Sequence, residues 1–152
     1  MNPRLLPAMA AALAALILGG CTAVPPGSPE VASSSDPQFD FAGAKTYRWS
    51  GTQPNFRPDP LLEANVRFLV DQALAAKGMT KKEGADLLIG IGYDFGYRSM
   101  SYGYEVRALS LSISRADSNA LVWRGLATGS INADTASADL KNAVDAMLAR
   151  LP

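Results

Sequence analysis

The chain has 152 residues, with 14 basic and 14 acidic side chains, one cysteine and no histidine. Its length and an apolar content of 48% predict a single domain with a core of its own. The balanced charge argues against a nucleic-acid partner. A lone cysteine excludes an internal disulfide and a zinc cage, and the lack of histidine excludes Ser-His-Asp and Cys-His catalysis. We therefore expect no metal, no cofactor and no enzymatic activity.

The first twenty residues have the organisation of a bacterial lipoprotein signal. A basic start, Met1–Arg4, precedes an Ala/Leu/Ile run from Leu5 to Leu18, and Gly19, Gly20 and Cys21 follow it. An apolar run of this length before small residues is typical of a secretory signal peptide. Leu18, Gly20 and Cys21 resemble the box in which the cysteine sulfur is lipidated and the cysteine becomes the first mature residue. The alternative is an ordinary signal peptide followed by an incidental cysteine.

This signal predicts the organisation of the whole chain. Residues 1–20 are the signal peptide, residues 21–36 are the lipidated cysteine with a flexible tether rich in Pro, Ser and Gly, and residues 37–152 are the folded domain. Acyl chains such as palmitate on Cys21 attach a protein stably to a membrane. In the lipoproteins that the signal resembles, a residue other than Asp at the position of Thr22 favours the outer membrane, on its periplasmic side. The inner membrane is the alternative.

The folded part begins with an aromatic strand and an amphipathic helix. Residues 39–49 alternate as a half-buried strand does, with one face formed by Phe39, Phe41, Tyr47 and Trp49. After a proline-rich loop, residues 60–77 have helical periodicity between Asp59-Pro60 and Gly78. Its apolar stripe comprises Leu62, Val66, Leu69, Val70 and Ala73.

Three further strands and a second helix follow. The segments "ADLLIGIGYDFGY" and "EVRALSLSISR" alternate as strands, and the turn residues Asp117–Asn119 predict a hairpin with "LVWRGLATGSI". A helical stripe runs to the chain end through Leu140, Ala143, Val144, Met147, Leu148 and Leu151. The order β-α-β-β-β-α predicts a two-layer α+β domain with a mainly antiparallel sheet and both helices packed on one face, because short helices need a sheet to bury their stripes. Gly125 would let a helix approach its strand closely.

Several segments of the chain carry a resemblance through their order: "DFAGAKTYRW", "AAKGM", "ADLLIGIGY", "LSLSISRADSNALVWRG" and "LARLP". Together they resemble one bacterial lipoprotein family, domain of unknown function 4136. The resemblance implies an outer-envelope lipoprotein with a small α+β domain. It implies no catalytic residues.

The most suggestive stretch for binding is the Tyr/Gly segment, "GYDFGYRSMSYGYE", from Gly92 to Glu105. Tyrosines on a Gly/Ser backbone supply large amphipathic contacts on an adaptable chain. The candidate binding residues are Tyr93, Tyr97, Arg98, Tyr102 and Tyr104. Such a segment could bind a protein, a glycan or lipid headgroups, and with Arg107 nearby it could bind a small anion. The alternative is a hairpin loop whose tyrosines cover the end of the sheet.

Two classes of function follow from this pattern. The first is a non-enzymatic binding or scaffolding lipoprotein that contacts another envelope component through the Tyr/Gly segment. The second is a periplasmic carrier or sensor that holds a small apolar or amphipathic ligand between helices and sheet, in a pocket lined by Tyr47, Trp49 and Trp123. Lys81 and Lys82, the remaining candidates for amine chemistry, read as a solvated turn.

Overall fold

The structure is a computed structural model, and it describes residues 28–51, 60–96, 105–134 and 137–152. Its elements, in chain order, are β1 (Glu30–Ser35), β2 (Thr46–Trp49), α1 (Pro60–Ala76), β3 (Thr80–Lys81), β4 (Leu87–Gly96), β5 (Glu105–Arg115), β6 (Leu121–Asn132) and α2 (Asp139–Leu148). The strands form one sheet in the order β1-β6-β5-β4-β2-β3. Strand β2 runs parallel to β3 and β4, and the other neighbours are antiparallel. This architecture confirms the predicted α+β class with a mainly antiparallel sheet.

The core lies between one face of the sheet and the two helices. Alternate residues of β4, β5 and β6 turn the same way, because Ile89 pairs with Ile113 and Ile113 pairs with Trp123. The stripe of α2 meets this face as predicted, and all six of its members are buried. The stripe of α1 is buried through Leu62, Val66, Val70 and Leu74, with Leu69 and Ala73 partly buried.

The hairpin of β5 and β6 follows the sequence prediction closely. Residues 105–115 pair antiparallel with residues 121–132. Asn119 has a φ of 56°, a left-handed conformation that Asn tolerates in tight turns. Gly125 faces α2, where an added Cβ would lie 3.2 Å from the Cβ of Met147. The helix therefore approaches this strand as closely as the glycine predicts.

The predicted first strand is wrong over its first half. Only Thr46–Trp49 form a strand, and the residues before them make turns. The carboxylates of Asp36 and Asp40 accept the N–H groups of Gln38 and Ala42, two residues further on. Such local bonds compete with strand pairing, so the aromatic alternation continues across a stretch whose backbone does not stay extended.

The predicted tether is also wrong over its last part. Residues Glu30–Ser35, which lie within the predicted flexible tether, form the edge strand β1 paired with β6. Their side chains are mostly exposed, so no apolar alternation marks the strand in the sequence. Backbone pairing to β6 holds it instead. The folded domain therefore begins near residue 30 rather than at residue 37.

Candidate functional site

The half-buried carboxylate of Asp71 joins α1 to the two aromatic residues of β2, Tyr47 and Trp49. Asp71 Oδ1 accepts hydrogen bonds from the Tyr47 hydroxyl at 2.8 Å and from Trp49 Nε1 at 3.0 Å. Its second oxygen accepts one from Lys81 Nζ at 2.9 Å. Charge-assisted bonds of this kind hold side chains in place, and these three join α1, β2 and β3. Lys81 is thus a solvated residue, with 54% of its side chain exposed, but it lies in β3 rather than in a turn and pairs with Asp71.

The same helix carries an ion pair that covers Trp49. The Arg67 guanidinium lies 4.6 Å from the centre of the indole ring, and its Nη2 lies 2.5 Å from Glu63 Oε1. Cation–π stacking and the i,i+4 pair fix the arginine over the ring. Glu63 and Arg67 therefore form a paired, charged rim at the edge of the sheet.

Beyond this rim, the sheet face away from the helices holds a groove of about 540 Å³. Its floor is made of small residues from two paired strands, Gly90 and Gly92 on β4 and Ser110, Ser112 and Ser114 on β5. A Cβ at Gly90 would lie 2.6 Å from Ser112 Oγ, and one at Gly92 would lie 2.6 Å from Ser110 Oγ. The serine side chains thus lean across the glycines, which leaves a shallow floor with hydroxyl groups.

Two aromatic hydroxyls have displaced pKa values. Burial raises the pKa of Tyr47, and the hydrogen bond to Asp71 and its negative charge raise it further. Burial also raises the pKa of Tyr93, with Glu63 adding to the effect. Both phenols therefore stay protonated through neutral and moderately alkaline pH. The neutral Tyr47 hydroxyl donates its hydrogen bond to Asp71.

A second cavity, of about 520 Å³, lies at the far end of the sheet. Phe39, Asp86, Arg115 and Asp117 are among the residues that line it. Its charged groups already have partners within the domain: Arg115 binds Asp117 through two contacts, at 2.7 and 3.0 Å, and Asp86 Oδ2 accepts a hydrogen bond from the Thr46 hydroxyl. The Arg115 side chain holds the pKa of Asp117 well below its usual range. The Arg115–Asp117 pair lies at the β5–β6 turn, where the Asn119 N–H also donates to Arg115 O.

The structure describes one of the predicted binding residues. Tyr93 lies half-buried on β4 and lines the edge of the groove. Its partners Tyr97, Arg98, Tyr102 and Tyr104, like the lipidation candidate Cys21, lie outside the described residues. Gly96 and Glu105 pair with each other, so the Tyr/Gly segment joins the two strands that form the groove floor.

The pocket required by the carrier hypothesis coincides with packed core. Tyr47 is 2% exposed and Trp123 is 1% exposed. Neither of the two cavities above is lined by Tyr47, Trp49 or Trp123. The described residues contain no cluster of His, Cys, Asp and Glu that could hold a metal ion. None of the described helices is long and apolar enough to cross a bilayer.

Sequence reasoning missed both the Asp71 cluster and the groove. The spacing of Glu63, Arg67 and Asp71, at i, i+4 and i+8 of one helix, was a signal for a polar stripe. Nothing in the sequence indicated that this stripe would face two aromatic residues. The groove depends on the register that sets Gly90 opposite Ser112, which strand pairing decides.

These features define a class of protein: an α+β domain that carries both helices on one face of an open sheet and a small-residue groove on the other. Residues 31–152 match the family described as Domain of unknown function (DUF4136). The chain belongs to this family, as the order of its motifs indicates. No curated protein matches the chain.

Solved structures share the fold at low sequence identity. A PDZ domain protein from Parabacteroides distasonis has a TM-score of 0.61 and 17% identity over 82% of this chain, and the chain spans only 36% of that protein. Two structures of the PelC dodecamer from Paraburkholderia phytofirmans, one of them of a variant, each have a TM-score of 0.56. Their sequence identities to this chain are 16% and 14%. Each match covers 79% of this chain, and it covers 94% and 95% of the respective PelC chain. These likenesses concern the fold alone.

Proposed function

We propose that the chain is a membrane-anchored bacterial envelope lipoprotein, and that it is a non-enzymatic binding or scaffolding protein facing the periplasm. The observation that carries the anchor is the position of the one cysteine, Cys21, directly after an apolar run and two glycines. Thr22 favours the outer membrane, with the inner membrane as the alternative. Catalysis has no support in the chemistry available, because the chain has no histidine and Asp71 already accepts three hydrogen bonds.

The short stretch of chain between Cys21 and the start of β1 limits how far an anchored domain can lie from the bilayer. From Cys21 to Glu30 the chain advances by nine residues, 30 − 21 = 9. A fully extended chain of that length spans about 30 Å, since each residue adds about 3.3–3.6 Å. The domain is therefore held near the membrane surface, where it can meet other envelope components.

The anchor is tested by replacing the cysteine. Cys21→Ser should move the protein from the membrane fraction to the soluble periplasmic fraction and abolish labelling with an alkyne analogue of palmitate. Thr22→Ser is the matched control, because it changes the neighbouring hydroxyl residue and leaves the thiol; it should stay membrane-bound and labelled. A Cys21→Ser protein that remains in the membrane, or remains labelled, would contradict the anchor.

For the binding surface, we assign the partner contact to the β4–β5 hairpin. Its strands form the groove floor, and the Tyr/Gly segment continues from them. A broad groove floored by Gly and Ser offers a partner backbone close approach, while tyrosines supply area with few rotatable bonds. The partner that fits is an envelope protein, bound through Tyr93, Tyr97, Arg98, Tyr102 and Tyr104.

In-cell photo-crosslinking tests this surface. A photoreactive amino acid at Tyr102 should give one recurrent protein adduct that mass spectrometry identifies. The same amino acid at Ser118, which is exposed in the β5–β6 turn at the opposite end of the sheet, should not give it. Equal capture at both positions, or capture of lipid alone from Tyr102, would refute a protein partner on this hairpin.

A further inference from the structure

The two edges of the sheet differ in how they are protected. The β3 edge is a strand of two residues, Thr80–Lys81, followed by a second lysine, Lys82. Short edge strands with lysines discourage pairing with another chain. The β1 edge is six residues long, from Glu30 to Ser35, and it contains no lysine and no proline. Its pairing with β6 has no bulge. Within the described residues, this strand therefore lacks the lysines, prolines and bulges that discourage strand addition.

One row of backbone groups on β1 points away from the sheet. The N–H of Asp36 donates to Val122 O at 2.8 Å, so the even-numbered residues of this strand bond to β6. The odd-numbered residues Val31, Ser33 and Ser35 therefore direct their N–H and C=O groups outward. Within the described ranges β1 is the last strand of the sheet, with β6 as its one neighbour.

We propose that two copies of this chain pair antiparallel through the outer edge of β1, on a twofold axis at Ser33. In this register Ser33 faces Ser33 of the second copy and Val31 faces Ser35. All of these residues belong to the outward row, so each opposite pair exchanges both backbone bonds, as hydrogen-bonded antiparallel pairs do. Odd residues meet odd residues, so the helix-covered face of one sheet continues into that of the other.

The pairing is self-limiting and suited to a membrane surface. A closed twofold interface uses each β1 edge once, so it gives a dimer rather than a fibre. Glu30 comes opposite Asp36 at each end, where both side chains are exposed and solvent screens the repulsion. A strand edge buries little area, so association in dilute solution is weak. Copies confined to a bilayer by the anchor proposed above meet at much higher local concentration.

Disulfide trapping in the full chain, in cells, tests the register. Opposed Cα atoms of a hydrogen-bonded antiparallel pair lie about 5.5 Å apart, which a disulfide spans. Ser33→Cys should therefore form a reducible dimer under mild oxidation. Ser35→Cys is the matched control: it is exposed on the same face of the same strand, but its counterpart lies four residues away, about 13 Å along the strand. The unsubstituted chain corrects for Cys21.

A second experiment places a charge at the proposed twofold axis. Val31→Cys combined with Ser35→Cys should also give the dimer, and adding Ser33→Lys, which opposes two like charges, should reduce it at least fivefold. Because Ser33 is exposed, Ser33→Lys should leave the unfolding curve unchanged. Measuring that curve shows that the domain remains folded. Equal dimer from Ser33→Cys and Ser35→Cys, or none from either, overturns the proposal. Fractionation of the same cells reports on the anchor separately.

Discussion

Gly125 is the position at which the packing of α2 against the sheet can be tested most directly. A Cβ at this residue would lie 2.4 Å from Cη2 and 3.0 Å from Cζ2 of Trp123, and 3.2 Å from the Cβ of Met147. Ordinary van der Waals contact begins near 3.4 Å, so the ring or the helix has to move by about 1 Å to admit one methyl group. Trp123 is 1% exposed, so its ring lies within the core and cannot turn out into solvent without unpacking it.

We therefore expect Gly125→Ala to lower the free energy of unfolding by about 1–3 kcal/mol, the usual cost of overpacking a core. Trp123→Ala alone should cost about 3–5 kcal/mol, because it removes a buried indole and leaves a cavity. In the Trp123→Ala background the clash with the ring disappears, and only the milder contact with Met147 Cβ, at 3.2 Å, remains. Adding Gly125→Ala there should be neutral or stabilise by about 0.5–1 kcal/mol, since alanine restricts the unfolded chain more than glycine does.

The assay is urea denaturation of the full chain followed by far-ultraviolet circular dichroism, which does not depend on the removed indole. Gly84→Ala is the control, because Gly84 has no atom within 4 Å of an added Cβ and no positive φ. It should change stability by less than about 0.5 kcal/mol. A Gly125→Ala cost that persists in the Trp123→Ala background would refute the assignment of the clash to the ring.

Other expectations follow from the polar cluster, the phenols and the groove. Asp71→Ala should lower the free energy of unfolding by about 1–3 kcal/mol because it leaves the buried Tyr47 hydroxyl without an acceptor, whereas Asp145→Ala, in an exposed pair with Lys141, should cost less than about 0.5 kcal/mol in the same urea assay. Similar losses for the two variants would contradict a specific role of Asp71. The raised pKa values of Tyr47 and Tyr93 mean that above pH 10.0 the unfolded chain releases protons that the folded domain keeps, so stability falls as pH rises, by at most about 1.4 kcal/mol per pH unit for each tyrosine. Denaturation of Tyr47→Phe between neutral pH and about pH 11 should show a shallower alkaline slope; an unchanged slope would count against the raised pKa. Gly90→Ala should cost less than about 1 kcal/mol by the same assay, because the atom it meets, Ser112 Oγ, ends a side chain that can rotate away; a loss as large as that of Gly125→Ala would show that the groove floor is packed core.

Periodicity alone was sufficient for the elements whose side chains are buried on one face. The α2 stripe, the β5–β6 hairpin and the close approach at Gly125 were all readable, because burial imposes a period of 3.6 on a helix and 2 on a strand. The lipoprotein signal at Cys21 and the candidate binding residues of the Tyr/Gly segment were also identified from the sequence. Their partner and their location remain predictions.

Tertiary structure decided what side-chain patterns do not encode. Strand β1 is held by backbone bonds to β6 and exposes most of its side chains, so its sequence reads as a linker. The groove exists because the register sets Gly90 and Gly92 against serines, and the Asp71 cluster exists because α1 lies across Tyr47 and Trp49. Each depends on residues that are distant in the chain, and the contacts between them form only when the strands and helices pack.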